Sequence, residues 1–480
     1  MNWPTAAVCV RTCGRGRRRP WSGVPHVGPG TRRRIDRISC QAPQRPVPYH
    51  IDAPSFTLER SAAGGGEPIL NRIHAQPGFV YEAVRLVAED RGLVIEATIR
   101  PRAHRRPTCS GCTQPGPGYD TLACRRFEFV PLWGLPVFFC YARRRVACPT
   151  CGVRVETIPW ATGKQHLTTT YAWFLARWAK RLSWTEVAVA FRTTWEHVFR
   201  SVEMAVAWGR RHQDLTGITA LGLDELQWRR GHQYLTLVYQ LDPGAKRLRW
   251  VGEHRQVKTL LRFFRWWGPE RSAPLRFICS DMWKPYLRVI AKKAGQAIHI
   301  LDRFHIMSHL SKAIDQVRAQ EARTLKAQGY EPVLKHTRWL LLKRPEHLTE
   351  PQAGRLAELL RYNLKAVRAY LLTEALQFFW HYVSPHWAGW FLDRWCTRTL
   401  RSRLEPMQKV ARMLRAHRPL LLNWFRAKGA LSSGAVEGFN NKARVTTRRA
   451  YGFRTFRAIE VALYHTLGAL PEPDTTHRFC

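Results

Sequence analysis

Apolar positions along this chain fall into three rhythms, and each rhythm marks off a different stretch. From about Phe79 to Trp160 they come as short runs, and Leu93 to Ile99, Arg126 to Val130 and Leu135 to Tyr141 read as strands. From Thr169 to His212 the period lengthens to that of a helix, with Val198, Phe199, Val202, Ala205 and Val206 as one apolar stripe. Ser183-Trp184-Thr185-Glu186 and Thr193-Thr194-Trp195-Glu196 each fit the S/T-x-x-E capping box, in which a hydroxyl and a carboxylate satisfy the unpaired amides of a helix start. Two helices with a turn near Phe191 to Thr193 follow, the pattern of a helix-turn-helix whose second helix turns His197 and Arg200 toward a major groove. A plain packed helical hairpin fits the same pattern.

At about Thr219 the alternation changes again. Ala220 to Leu226, Tyr234 to Leu241 and Arg247 to His254 read as strands, with Asp242-Pro243-Gly244 turning between the last two. Val257 to Trp267 reads as a helix, Leu275 to Ser280 as a strand, Lys284 to Ala294 as a helix and Ala297 to Leu301 as a strand. The order is βββαβαβ, which puts the first strand at the centre of a mixed sheet with the fourth beside it and parallel. Asp224 lies within that first strand and Asp281 at the end of the fourth, so the two acids are expected side by side. An acid in an apolar strand is costly to bury without compensation, and a divalent cation between two carboxylates would supply it. Glu225, next in the strand, points to the opposite face and reads as structural. From 303 to 430 the chain reads as helical throughout, most clearly over Leu310 to Gln328 and Gly354 to Phe379.

One more helix is expected from Gly434 onward, carrying Glu437 with Asn440, Asn441, Arg444 and Arg448 on its face, and another over Phe456 to Leu467. A single acid on a face of amides and cations suits a metal beside phosphates; a solvated face with one acid is the bland reading.

Composition sharpens the choice of partner. The 480 residues are 45% hydrophobic and carry a formal net charge of +42, more than solubility requires and self-repelling unless a polyanion is near. Nucleic acid is the default partner, though an anionic membrane surface would also accept the charge. No run of about 18 apolar residues predicts a membrane span, and the amino terminus does not read as secretory, so a cytoplasmic, nucleoid-associated protein is expected. Close cysteine pairs then read as metal ligands. Cys109 and Cys112 form one C-x2-C knuckle and Cys148 and Cys151 another, four soft ligands for a closed structural Zn²⁺ site. Segment 113–147 between the knuckles exceeds zinc-ribbon spacing, so a hairpin must fill it, and Cys124 and Cys140 within it are alternative ligands. Residues 1–75, rich in Arg, Pro and Gly, are expected to be disordered: a basic arm on DNA, an inconsequential extension or a transit peptide.

Taken together, GLDE, SDMWKPY, LDRFH and SSGAVEGFNNKARVTTRRAYGFRTF, after a CxxC…CPxCG knuckle pair and a helix-turn-helix, resemble the ISL3 family of insertion-sequence transposases, over about Phe79 to Leu467. The resemblance implies a DDE transposase of α/β class: an RNase H-like catalytic core (βββαβαβ) with an all-α insertion, preceded by a zinc-ribbon-like module and a helix-turn-helix. The boundaries it suggests are 1–75 for the basic extension, 76–160 for the zinc module, 161–215 for the helix-turn-helix and 216–310 for the first part of the core. The insertion would run over 311–430, the final core helices over 431–470 and a tail over 471–480. The family's triad maps by motif onto Asp224, Asp281 and Glu437, holding two Mg²⁺ (or Mn²⁺) ions. Asp302 and His305 match a D-x2-H signature and are possible accessory residues; Asn441, Arg444 and Arg448 are expected on phosphates. The expected partners are double-stranded DNA, both the element's terminal repeats and the target, and further copies of the chain assembled on it. A sequence-specific DNA-binding regulator would keep the zinc module and the helix-turn-helix without needing three acids. A tyrosine recombinase would need Tyr451 as nucleophile, and a decayed transposase would have lost activity altogether.

Overall fold

The computed structural model describes residues 67–90, 92–330, 333–428, 434–450 and 452–474. Most of the basic extension, 1–66, Tyr451 and the last six residues of the tail lie outside the described residues.

Among the described residues the first module opens with helix α1 (Glu67–Ile73). Asn71 fixes α1 by bonding both the N–H and the C=O of Tyr81. Strands β1 (Phe79–Glu89), β2 (Gly92–Pro101), β3 (Gly118–Leu132), β4 (Leu135–Cys148) and β5 (Gly152–Val155) form one sheet, ordered β1-β2-β4-β3 with β5 on β4. The long antiparallel β3–β4 pair is the hairpin demanded by the knuckle spacing. Its inner face buries Phe127, Phe139, Tyr141 and Trp160.

Helices α2 (Thr169–Trp178), α3 (Trp184–Ala190) and α4 (Trp195–His212) follow. The capping box at Ser183 forms as expected, with Glu186 reaching back to the Ser183 amide. The second does not: Thr194, not Thr193, caps α4, and Glu196 pairs forward with Arg200 at 2.7 Å. The left-handed turn at Arg192 (φ 50°) delays the helix start by one residue.

Next come β6 (Ala220–Arg229), β7 (Gln233–Gln240), β8 (Arg247–Glu253), α5 (Val257–Trp267), α6 (Pro269–Ser272), β9 (Phe277–Ser280), α7 (Lys284–Lys293) and β10 (Ile298–Leu301). The sheet order is β10-β9-β6-β7-β8, with β6 central and parallel to β9. The apolar face of α5, with Leu260, Phe263 and Trp267, covers one side of this sheet together with Tyr286 and Ile290 of α7.

The helical segment begins with α8 (Arg303–Ala327), capped by Asp302. It continues through α9 (Arg338–Leu342), α10 (Glu350–Leu359), α11 (Lys365–Gln377), α12 (Pro385–Leu400), α13 (Glu405–Ala416) and α14 (Arg418–Arg426). The stretch Gly354 to Phe379 is helical as expected, with one short break between α10 and α11. Glu321 of α8 receives the Lys365 and Ala366 amides at 2.7 and 2.8 Å and so caps a fresh start for α11. These helices share a separate core around Leu310, Ala366, Phe379 and Met407, and Asn423 of α14 reaches the His299 carbonyl of β10 at 2.8 Å. The chain then returns to the second sheet with α15 (Gly434–Arg449) and α16 (Phe456–Leu467). No helix among the described residues is long and apolar enough to cross a membrane.

Candidate active site

The parallel register of β6 on β9 pairs Gly222 with Cys279. The pairing ends there, and β9 ends at Ser280, one residue before Asp281. Asp281 shares Arg255 with Glu225, and neither it nor Glu437 belongs to the cluster of ligand atoms that Asp224 forms with Asp302 and His305. Asp224 is 8% exposed, and both of its oxygens are engaged. Oδ1 accepts the Glu225 amide at 2.7 Å and faces His305 Nε2 at 3.5 Å. Oδ2 accepts the Asn440 side-chain amide, whose own oxygen takes the Tyr239 hydroxyl at 2.9 Å. Asp281 accepts the Trp283 amide at 3.0 Å and the Arg255 guanidinium at 2.7 Å.

Helix α15 is seated by contacts that its sequence makes possible. Val436, Asn440 and Ala443 are buried at helical spacing, and a Cβ on Gly222 would come within 2.8 Å of Val436, so only glycine lets the helix lie this close to β6. Glu437, half-buried, follows Val436 and precedes Asn440 by nearly one turn. Glu437 makes no hydrogen bond or ion pair among the described residues. Asn441, Arg444 and Arg448 are exposed, and Arg444 donates to Asn441 at 2.9 Å.

Asp302 and His305 belong to the same cluster, since ligand atoms of Asp224, Asp302 and His305 all lie within 4.8 Å of one another. The hydrogen bond to Asp224 raises the His305 pKa to about 9, with the charges of Asp302 and Asp281 adding to it against the opposing effect of burial. Burial, and then the charge of Asp281, push Glu225 up to about 8, opposed by Arg255. Sequence reasoning missed Arg255, which bridges Glu225 at 3.3 Å and Asp281 at 2.7 Å and lies 4.6 Å over the Trp283 ring. It follows the left-handed His254 (φ 72°) at the corner after β8, and nothing in the local pattern marks it. Glu225 is therefore part of the site's charge balance rather than only a structural residue. Hard oxygen donors whose excess charge raises neighbouring pKa values, and which are met only by a histidine and an arginine, fit a divalent cation.

In the first module, Cys109, Cys112, Cys148 and Cys151 also converge within 4.8 Å. The Cys112 and Gly111 amides hold Cys109 down to about 7, while the crowding thiols push Cys151 up to about 12. Four thiols that cannot all ionise without a cation suit zinc. Gly152 turns with φ 70° beside them. Cys124 and Cys140 pair elsewhere along β3 and β4 and lie outside the cluster. Arg200 is exposed. His197 is half-buried: it bonds Thr193 Oγ1 at 3.0 Å and faces Glu128 of β3 at 3.8 Å, so it stands at the side of α4, not free on its outer face.

Residues 221–463, more than half of the chain, match the profile of the ISL3 transposase family. The chain belongs to the ISL3 family of transposases. This transposase is 30% identical to the transposase for insertion sequence element IS1557 of Mycobacterium tuberculosis, over 83% of its own length and 95% of the relative's. It is 29% identical to the transposase for insertion sequence element IS1001 of Bordetella parapertussis, over 76% of its length and 90% of the relative's. As an insertion-sequence transposase it acts on DNA, cutting and transferring strands.

Proposed function

We propose that this transposase performs metal-dependent DNA strand cleavage and strand transfer with a DDE triad of Asp224, Asp281 and Glu437, on an RNase H-like core interrupted by the helical segment 311–430. The observation that carries the reading is the Asn440 amide on Asp224, because it ties the helix bearing Glu437 to the strand bearing Asp224. Two Mg²⁺ or Mn²⁺ ions held by these carboxylates would supply an activated water or DNA 3′-hydroxyl and neutralise charge on the leaving oxygen. Asn440 and the Glu225 amide fix the rotamer of Asp224, while Arg255 and the Trp283 amide fix that of Asp281. His305 and Arg255 balance the carboxylates until DNA and metal arrive. Asn441, Arg444 and Arg448 line the exposed side of α15 and would hold phosphates. Asp302 and His305 would position the metal shell or the substrate.

Cys109, Cys112, Cys148 and Cys151 would hold one structural Zn²⁺. Helices α3 and α4 would read the element's terminal repeats through Arg200, with His197 placing the helix against β3, and further copies of the chain would join two ends. The test is cleavage of a duplex bearing the element's end in Mg²⁺. Asp224→Asn and Asp281→Asn are each expected to abolish cutting and keep end binding; cutting at the wild-type rate by either would refute the assignment.

A further inference from the structure

The β3–β4 hairpin closes through Leu132, Trp133, Gly134 and Leu135, with Leu132 and Leu135 paired. Trp133 is 91% exposed and has φ 50°, and Gly134 follows with φ 78°. Two successive positive φ values make the turn type that ordinarily takes Asn, Asp or Gly at its first central position. An aromatic residue pays strain there, and a fully hydrated indole forgoes burial. Among the described residues the Trp133 side chain has no hydrogen-bond, ring or cation–π partner. The hairpin behind this tip is fixed: Phe129 stacks on Phe139 at 4.6 Å, and Glu128 exchanges backbone bonds with His166 and Thr168 at 2.7 and 2.9 Å.

The position of the tip follows from that anchoring. Glu128 faces His197 in the first turn of α4 at 3.8 Å, so β3 runs alongside the start of the helix read here as the DNA-recognition helix. Trp133 lies five residues beyond Glu128, about 16 Å of extended strand. That is roughly half of the ~34 Å helical turn of DNA, the spacing from one groove to the next. Lys164, in the segment bonded to β3, and Arg200, one turn into α4, are exposed, line one pocket with His197 and supply charge for the intervening phosphates.

We propose that the β3–β4 hairpin is a second DNA contact, and that Trp133 enters the minor groove of duplex DNA as an apolar wedge beside the major groove occupied by α4. Side chains of this kind unstack a base step and bend the duplex toward the protein. The inference rests on reading α3 and α4 as the DNA reader.

The experiment uses the full chain and a duplex it selects from a random-sequence pool, carrying 2-aminopurine at successive positions. Wild type is expected to raise the fluorescence at one step outside the α4 footprint. Trp133→Ala should abolish that rise and weaken binding roughly tenfold to a hundredfold, the range for losing one stacked aromatic. Trp133→Phe should keep much of both. Arg200→Ala should lower affinity but leave the rise intact at saturating protein. Zinc content and melting temperature, unchanged in Trp133→Ala, verify the fold. Wild-type affinity and an undiminished rise in Trp133→Ala would overturn the proposal. Loss of self-association with DNA binding untouched would assign the tip to a second copy and overturn it too. Failure of the wild type to select any duplex would overturn the reading of α3 and α4, and the wedge with it.

Discussion

Replacing Asn440 with Ala tests how the Glu437 helix is joined to the central strand. Asn440 is 3% exposed; it donates to the Asp224 carboxylate and accepts from the Tyr239 hydroxyl at 2.9 Å. A hydrogen bond to a charged group contributes about 1.5–3 kcal/mol, and stranding a buried hydroxyl costs about 1–3 kcal/mol. Asp224 keeps the Glu225 amide and His305, so the low end of the first range applies, and the loss should total about 3 kcal/mol. Tyr239→Phe, which removes only the outer bond, should lose about 1 kcal/mol. Thermal unfolding followed by circular dichroism should rank the two variants in that order. Cleavage should fall further than stability, because displacing Asp224 by an ångström costs about a hundredfold in rate. Wild-type melting together with wild-type cleavage in Asn440→Ala would refute the claim that this contact seats α15.

Other perturbations separate the parts of the molecule. Gly222→Ala puts a methyl 2.8 Å from Val436 and 2.9 Å from Leu241, so it should destabilise by about 1–3 kcal/mol and cut cleavage more than end binding. Replacing Cys148 and Cys151 with Ser should remove zinc, measured by metal analysis, and impair DNA binding; unchanged zinc content would eliminate that site. His465 is buried, which depresses its pKa to about 3, and its Nε2 has no hydrogen-bond partner among the described residues. The folded state therefore resists a proton that the unfolded chain accepts below about 6.5, and stability is lost as pH falls from there toward 3. Between pH 6.5 and 5 the wild type should lose about 2 kcal/mol more than His465→Gln, by denaturant melts; parallel pH profiles would show that His465 is not the group.

The catalytic half of the chain was legible because its periodicities are strong. Val257–Trp267 and Phe456–Leu467 form with the expected bounds, and the βββαβαβ order puts β6 at the centre of the sheet, parallel to β9. The misses have local causes. In β1 the charges at Glu82, Arg85 and Glu89 break the apolar run, because much of the strand is solvent-facing. The break before α11 depends on Glu321, more than forty residues away in sequence. Arg255 pairs with acids on strands two and three places across the sheet from β8, a relation no local pattern carries. Asn440 was visible as an amide on the Glu437 face, but its bond to Asp224 exists only because Gly222 admits the helix.

Glu437→Gln, assayed for strand cleavage and end binding on the same duplex in Mg²⁺, tests the triad most directly. The account predicts binding near the wild-type level with cleavage abolished. Cleavage at the wild-type rate would contradict it.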